Sequence, residues 1–422
     1  MIGWLDRLLA HPHRQAEAGA RASALDLSRF DADGWTAQIL AGFVGSIALS
    51  PLMLLPVLVY AYDVHLGFGP DTAGWVASAA LIGLAAATVL VSFRTKHWSL
   101  ARVSVFGMAM MLVFTALTLF LHDSTSMFTL TLLAGFGGGL TQAAIAAALS
   151  RTRQAERAFA IFTCFQFVYP GLGAYFFPRL MDSSAQGFNA MQYGQLLLIA
   201  AAMLIASVAG AFRLRSDLKD LDPASGSEQM EWALILRAPA ALSIVGIMIY
   251  GASNGSVWAY SEGIGRLAGL DILAIGDIIA YANVIAGICA LGVIWLGNRV
   301  GHFIPLIGGI FGQLLSVYIM LAFQTPAGYI WGTMIFTISW AIVFPYFLSI
   351  QSDLDHSGTV VAFGQFTNLV GTAVGPALAA VFVGEEGDFT GAIWIAIAMT
   401  VLALIPMILI PAVTRRARTA EA

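Results

Sequence analysis

RLRSDLKDLDPASGSEQMEWALILR, residues 213–237, is the longest polar stretch between apolar segments in this 422-residue chain. Six apolar runs precede it, near 37–62, 72–92, 103–121, 127–149, 157–178 and 192–213. Six follow, near 239–262, 272–296, 303–323, 327–350, 358–383 and 389–412. Each is close to the ~20 residues that a helix needs to cross a hydrocarbon core. None alternates polar and apolar residues over ~10 positions, as barrel strands do. Lipid satisfies no backbone hydrogen bonds, so these runs read as helices. The linker then divides twelve helices into six plus six.

Composition agrees. Hydrophobic residues make up 59% and charged residues 10%, against roughly 25% charged in soluble domains. The net charge of -4 offers nothing to nucleic acid. Cys164 and Cys289 are isolated in apolar runs and form neither a disulfide framework nor a metal cluster. No cofactor and no metal are expected. The N-terminus lacks an apolar core followed by a small-residue cleavage site, so no cleaved signal peptide is expected. Residues 1–35 read as a cytoplasmic tail. Within it, Trp4, Leu5, Leu8 and Leu9 fit either a short surface helix or an irregular segment.

Orientation follows from the basic residues. With both termini inside, 18 of the 20 Lys and Arg fall on the cytoplasmic side. Only Arg179 and Arg266 fall outside. The expected organisation is a tail at 1–35, a six-helix bundle at 36–213, a central loop at 214–237, a second bundle at 238–412 and a tail at 413–422. Arg outnumbers Lys 18 to 2, which points to a GC-rich bacterial genome and hence to a bacterial inner membrane.

The halves look related. Ala158, Phe159, Phe162, Thr163 and Gly171 align without gaps on Ala362, Phe363, Phe366, Thr367 and Gly375. Gly67 and Gly74 match Gly269 and Gly276. Repeats with a site at their interface are a recurrent transporter plan. The chain resembles the major facilitator superfamily. Gly297-Asn298-Arg299-Val300-Gly301-His302 is similar to that family's G-D-R-x-G-R loop, with Asn298 in place of the acid and His302 in place of the last basic residue. Gly371-Thr372-Ala373-Val374-Gly375-Pro376 is similar to the glycine-proline motif of family antiporters, but lies in span eleven, whereas the family has it in span five. The resemblance implies an all-α integral membrane protein, with twelve transmembrane helices in two pseudo-symmetric six-helix bundles. It also implies that the Gly297, Asn298, Arg299 and Gly301 loop gates one side.

An ionisable residue within a membrane is costly and functional by default. Of 24 acids, three lie in or at spans. Asp277 sits in span eight, Glu262 and Asp63 at the ends of spans seven and one. These are the proton-coupling candidates, with interfacial placement as the plainer alternative. Tyr250, Asn254, Trp258 and Glu262 recur every four residues and share one helix face. A second stripe is Gln365, Asn368 and Thr372, on span eleven. Gln142, Gln166 and Tyr169 add polar groups in the first half, and Tyr281 an aromatic in the second. These are the substrate-cavity candidates, with interhelical hydrogen bonding as the alternative role. The glycines of span four, Gly135, Gly137, Gly138 and Gly139, should allow close helix approach. Pro51 and Pro56 should kink span one.

The expectation is a secondary active transporter, functional as a monomer in the bilayer. It would move a small organic solute, aromatic or monocarboxylate in character, by alternating access with proton symport. Drug or metabolite efflux by proton antiport is the alternative. A membrane enzyme or sensor is remote, since no histidine lies within a span and no sizeable soluble domain exists.

Overall fold

The computed structural model describes residues 34–421, apart from 95–97, 150–151, 153–154, 185, 209–234, 297–300, 355–358 and 385–387. The N-terminal tail and most of the central loop lie outside the described residues, as do Gly297, Asn298 and Arg299. Each apolar run is helical over most of its described residues. Spans two to six are Gly69–Arg94, Leu100–Leu117, Ser124–Leu149, Ala155–Asp182 and Gly187–Val208. Spans seven to twelve are Ala238–Ala259, Ile272–Leu296, Phe303–Ala322, Pro326–Leu354, Thr359–Ala380 and Thr390–Glu421. No strand occurs among the described residues.

Ten of these helices are long and apolar enough to cross a membrane. Spans one and eleven fall short for different reasons. Span eleven is diluted by its own polar stripe. Span one is broken into Trp35–Ala48, Ser50–Met53 and Leu55–Tyr60, followed by a π-helical turn, Ala61–His65. Pro51 cannot donate to the carbonyl of Ile47 one turn back. The Ser50 hydroxyl does so instead, at 2.6 Å. Its single proton is thereby used, so the 2.7 Å contact between Ser50 Oγ and the buried Tyr169 hydroxyl must have tyrosine as donor. Spans one and five are joined there. Ser50→Ala and Tyr169→Phe should each cost about 0.5–1.5 kcal/mol. The double variant should cost little more than either single one. Thermal unfolding of the four forms checks this, and simple additivity would show that the hydroxyls do not couple.

The chain forms two compact units. The first comprises Met1–Met53, Gly83–Tyr169 and Gln192–Leu221, and the second Leu54–Ile82, Pro170–Met191 and Asp222–Ala422. In the first, span four is the hub. A Cβ on Gly137 would strike the carbonyl of Gly107 in span three, one on Gly138 that of Ala48 in span one, and one on Gly139 that of Leu84 in span two. Three consecutive glycines thus seat three different helices.

In the second unit, spans seven and eleven pack through paired Gly-x-x-x-Gly faces. Gly251 and Gly255 meet the carbonyls of Asn368 and Thr372, while Gly371 and Gly375 meet those of Met248 and Ala252. The Ser256 hydroxyl adds a hydrogen bond to the Gly375 carbonyl at 3.0 Å. The glycine motif of span eleven therefore has a packing function. A core of Ile247, Tyr250, Leu306, Val343, Phe347 and Met407 completes this side.

Candidate functional site

The candidate acids converge at one end of the second unit, where span one finishes and spans seven and eight join. The π-helical turn carries Asp63 and is followed by Gly67 at φ 68°. A single π turn inside a helix often marks a functional position. Span seven stops at Tyr260, whose ψ of 14° breaks the helix. The short helix Ser261–Leu267 restarts with Glu262 in its first turn and Arg266 in its last. Gly269, at φ 79°, then reverses the chain. Asp271 caps the following helix by accepting the Ala274 N–H at 2.8 Å. Gly67 and Gly269, matched by sequence, share the left-handed conformation that favours glycine.

Two ion pairs tie this end together. Arg266 Nη2 reaches Asp63 Oδ2 at 2.9 Å, and its guanidinium lies 5.4 Å from the Tyr60 ring centre and 5.6 Å from that of Phe389. Arg179, near the end of span five, stacks 3.8 Å over Tyr175 and donates to the Tyr175 carbonyl at 2.7 Å. Its Nη2 contacts both oxygens of Asp277, making an aligned hydrogen bond to Oδ2 at 3.1 Å and an ionic contact to Oδ1 at 2.9 Å. Both arginine side chains keep about a third of their surface exposed, 32% for Arg179 and 38% for Arg266. Such pairs orient more than they stabilise. Between them, the Tyr260 hydroxyl donates to the Pro70 carbonyl at 2.8 Å. Gly74 leaves room for that hydroxyl, and Gly276 leaves room for the Ala174 carbonyl. The two glycines matched by sequence thus serve matched packings, span two on span eleven and span eight on span five.

Glu262 differs from the two aspartates. It is 1% exposed, and neither carboxylate oxygen has a hydrogen-bond partner among the described residues. Arg266, one turn along the same helix, is engaged by Asp63. A carboxylate buried without hydrogen bonds is strongly disfavoured relative to the neutral acid. Two further buried hydroxyls, Tyr329 and Thr333, lie on span ten without an aligned hydrogen bond among the described residues, close enough to interact with each other. Sequence reading missed them, although Tyr329, Thr333 and Thr337 share one face at four-residue spacing. It also left the ion pairs undrawn, although Arg179 and Arg266 were the sole basic residues on the side of Asp63 and Glu262.

The remaining candidates are placed as follows. Tyr250 is buried in the core, its ring 6.1 Å from that of Phe347. Asn254 donates to the Tyr250 carbonyl at 3.2 Å, leaving its buried Oδ1 without a partner among the described residues. Trp258 packs at 6.2 Å against Trp340. Asn368 is part-buried and Thr372 buried, its hydroxyl bonded to the Asn368 carbonyl at 2.9 Å. Gln365 and Tyr281 are exposed. In the first unit, Gln142 and Gln166 are part-buried, and Tyr169 holds Ser50. Of the gating loop, Gly301 adopts φ 70°, and His302 Nδ1 meets Asp353 Oδ2 at 2.8 Å. The basic position that ends the loop keeps an acidic partner. Among the described residues, no group of three or more His, Cys, Asp or Glu could hold a metal ion.

Twelve helical segments, ten of them long and apolar enough to cross a membrane, make a polytopic membrane protein, and its family makes it a secondary transporter and not an enzyme. A family model described as the Major Facilitator Superfamily matches residues 34–371. The chain belongs to that superfamily, and has its fold of twelve transmembrane helices in two pseudo-symmetric six-helix bundles. Solved structures agree on the fold. A nucleoside transporter, NupG, is similar with a TM-score of 0.67 at 15% identity, over 92% of this chain and 99% of that one. A structure described as giving insight into substrate recognition in proton-dependent oligopeptide transporters is similar with a TM-score of 0.66 at 14% identity, over 91% of this chain and 98% of that one. No curated protein matches the chain.

Proposed function

We propose that this protein is a proton-coupled symporter of a small organic solute in a bacterial inner membrane, with both termini cytoplasmic. It works as a monomer by alternating access between its two bundles. The observation that carries this reading is Glu262, a buried carboxyl with no hydrogen-bond partner among the described residues, at the outer end of span seven. Such a group exchanges a proton more readily than it holds a charge. Asp277 and Asp63, the other two candidates, are each held by an arginine, at 2.9 Å in both pairs. Glu262 therefore comes first among the three. Tyr250, Asn254, Trp258, Gln142, Gln166, Tyr169, Tyr281, Gln365, Asn368 and Thr372 remain the cavity candidates. The Gly297, Asn298, Arg299 and Gly301 loop remains the candidate cytoplasmic gate. Arg179 and Arg266 are both occupied by aspartates, which favours a neutral aromatic solute over a monocarboxylate.

The test is uptake into proteoliposomes with and without an inward-acid pH gradient. The probes are uridine, dialanine and benzoate, which sample nucleosides, peptides and an aromatic monocarboxylate. Gradient-stimulated accumulation of at least one is expected. If each is taken up, but equally with and without the gradient, proton coupling is excluded.

A further inference from the structure

The short helix bearing Glu262 packs on span ten. A Cβ at Gly265, one turn from Glu262 on the same side of that helix, would stand 3.2 Å from Cζ of Tyr329. The phenol end of Tyr329 is thus beneath this helix, within electrostatic reach of Glu262. Tyr329 is 1% exposed and Thr333, one turn further along span ten, is 2% exposed. Neither Glu262 oxygen has a hydrogen-bond partner among the described residues, whereas the Tyr329 hydroxyl and Thr333 Oγ1, without an aligned bond, lie close enough to share one with each other. Thr333 is fixed through its carbonyl, which accepts the Thr337 hydroxyl at 3.0 Å. Span ten is in turn tied to span eight, because that same hydroxyl reaches the Ala282 carbonyl at 3.3 Å.

Burying such oxygens unbonded is costly, and a buried carboxyl is tolerated only where something else bonds it. A buried water makes about three hydrogen bonds and needs two to four polar partners, which is the set present. The other titratable or charged groups facing Glu262 are Arg266 on its own helix, and Tyr60 and Asp63 on span one. Asp63 engages Arg266 at 2.9 Å, and Arg266 is the one cation acting on Glu262 among the described residues.

We propose that Tyr329 and Thr333 hold water against Glu262, and that this buried water site is where the Glu262 carboxyl gains and loses its proton. The inference rests on the proton-carrying role given to Glu262 above, and adds the groups that serve it. In the exchange, one O–H bond forms at Glu262 as one breaks at the water. That water takes up a proton arriving from bulk solvent as it gives one to Glu262, so no hydroxide is left, and release of the proton runs the same steps in reverse. Tyr329 and Thr333 are positioning residues. They have no charge to contribute, and act by bonding the water.

Infrared spectroscopy of the purified full-length protein tests this without a transported solute. The carboxylic C=O band of Glu262 is identified by its loss in Glu262→Gln. Tyr329→Phe and Thr333→Val each remove one hydroxyl and little volume, so both should fold, as a thermal unfolding midpoint can verify. In each, the Glu262 band should move to higher frequency as the carboxyl loses hydrogen bonding, and Thr333→Ser should restore it. A Glu262 band unmoved in both variants overturns the water site while leaving the proton-carrying role intact. Absence at neutral pH of any band that Glu262→Gln removes overturns that role, and the water site with it.

Discussion

Glu262→Gln is expected to abolish accumulation driven by a pH gradient while leaving solute exchange at equal concentrations. Glutamine keeps the shape and the hydrogen-bonding capacity of a neutral carboxyl, but cannot release a proton. The carrier should still reorient with solute bound, so exchange continues. It should lose the link to the proton gradient, so uphill movement stops. Asp277→Asn makes the contrast. It leaves Arg179 without its acid in a partly exposed site, and should slow accumulation and exchange together. The measurement is paired accumulation and counterflow of whichever probe the unaltered protein concentrates. Normal accumulation by Glu262→Gln would remove Glu262 from the coupling mechanism.

Gly371→Val is the second large effect, on stability. Its added Cβ would land on the carbonyl oxygen of Met248, with the amide of Ala252 3.1 Å away. Backbone cannot move aside as a flexible side chain can, and Met248 lies in the middle of span seven. Overpacking of this kind costs roughly 1–3 kcal/mol, occasionally more. Here the neighbouring contacts of Gly251, Gly255 and Gly375 must open as well, so the upper end is expected. Gly308→Val is the control, because nothing lies within 4 Å of the Cβ position there. Thermal unfolding in one detergent should show a clearly lowered midpoint for Gly371→Val and almost none for Gly308→Val. Equal midpoints would mean that the seven–eleven contact yields without cost.

The helices were legible in the sequence because each run is long and mostly apolar without the alternation of a barrel strand, which leaves the helix as the backbone that lipid permits. The break in span one was also legible, since Pro51 and Pro56 withdraw hydrogen bonds at known places. What happens to the freed carbonyl was not. The answer depends on the Ser50 hydroxyl and on Tyr169, which is 119 residues away. The charged candidates were visible as rare acids near spans, but their ranking was not. Asp277 and Asp63 acquire arginines from distant spans, and Glu262 does not. Tyr329 and Thr333 escaped notice because hydroxyls on an apolar helix are common. They gain meaning only from the place of the Tyr329 ring beneath the short helix that carries Glu262.

Gly67 and Gly269 stand 202 positions apart, as do Gly74 and Gly276. Under the same shift, Asp63 falls on Gly265, Arg266 on Val64 and Asp277 on Trp75. The turns and close packings are therefore shared by both halves, and the ion pairs by neither. What repeats along the chain is punctuation, the places where it turns or comes close to itself, whereas each of these charges stands at a position with no counterpart in the other half.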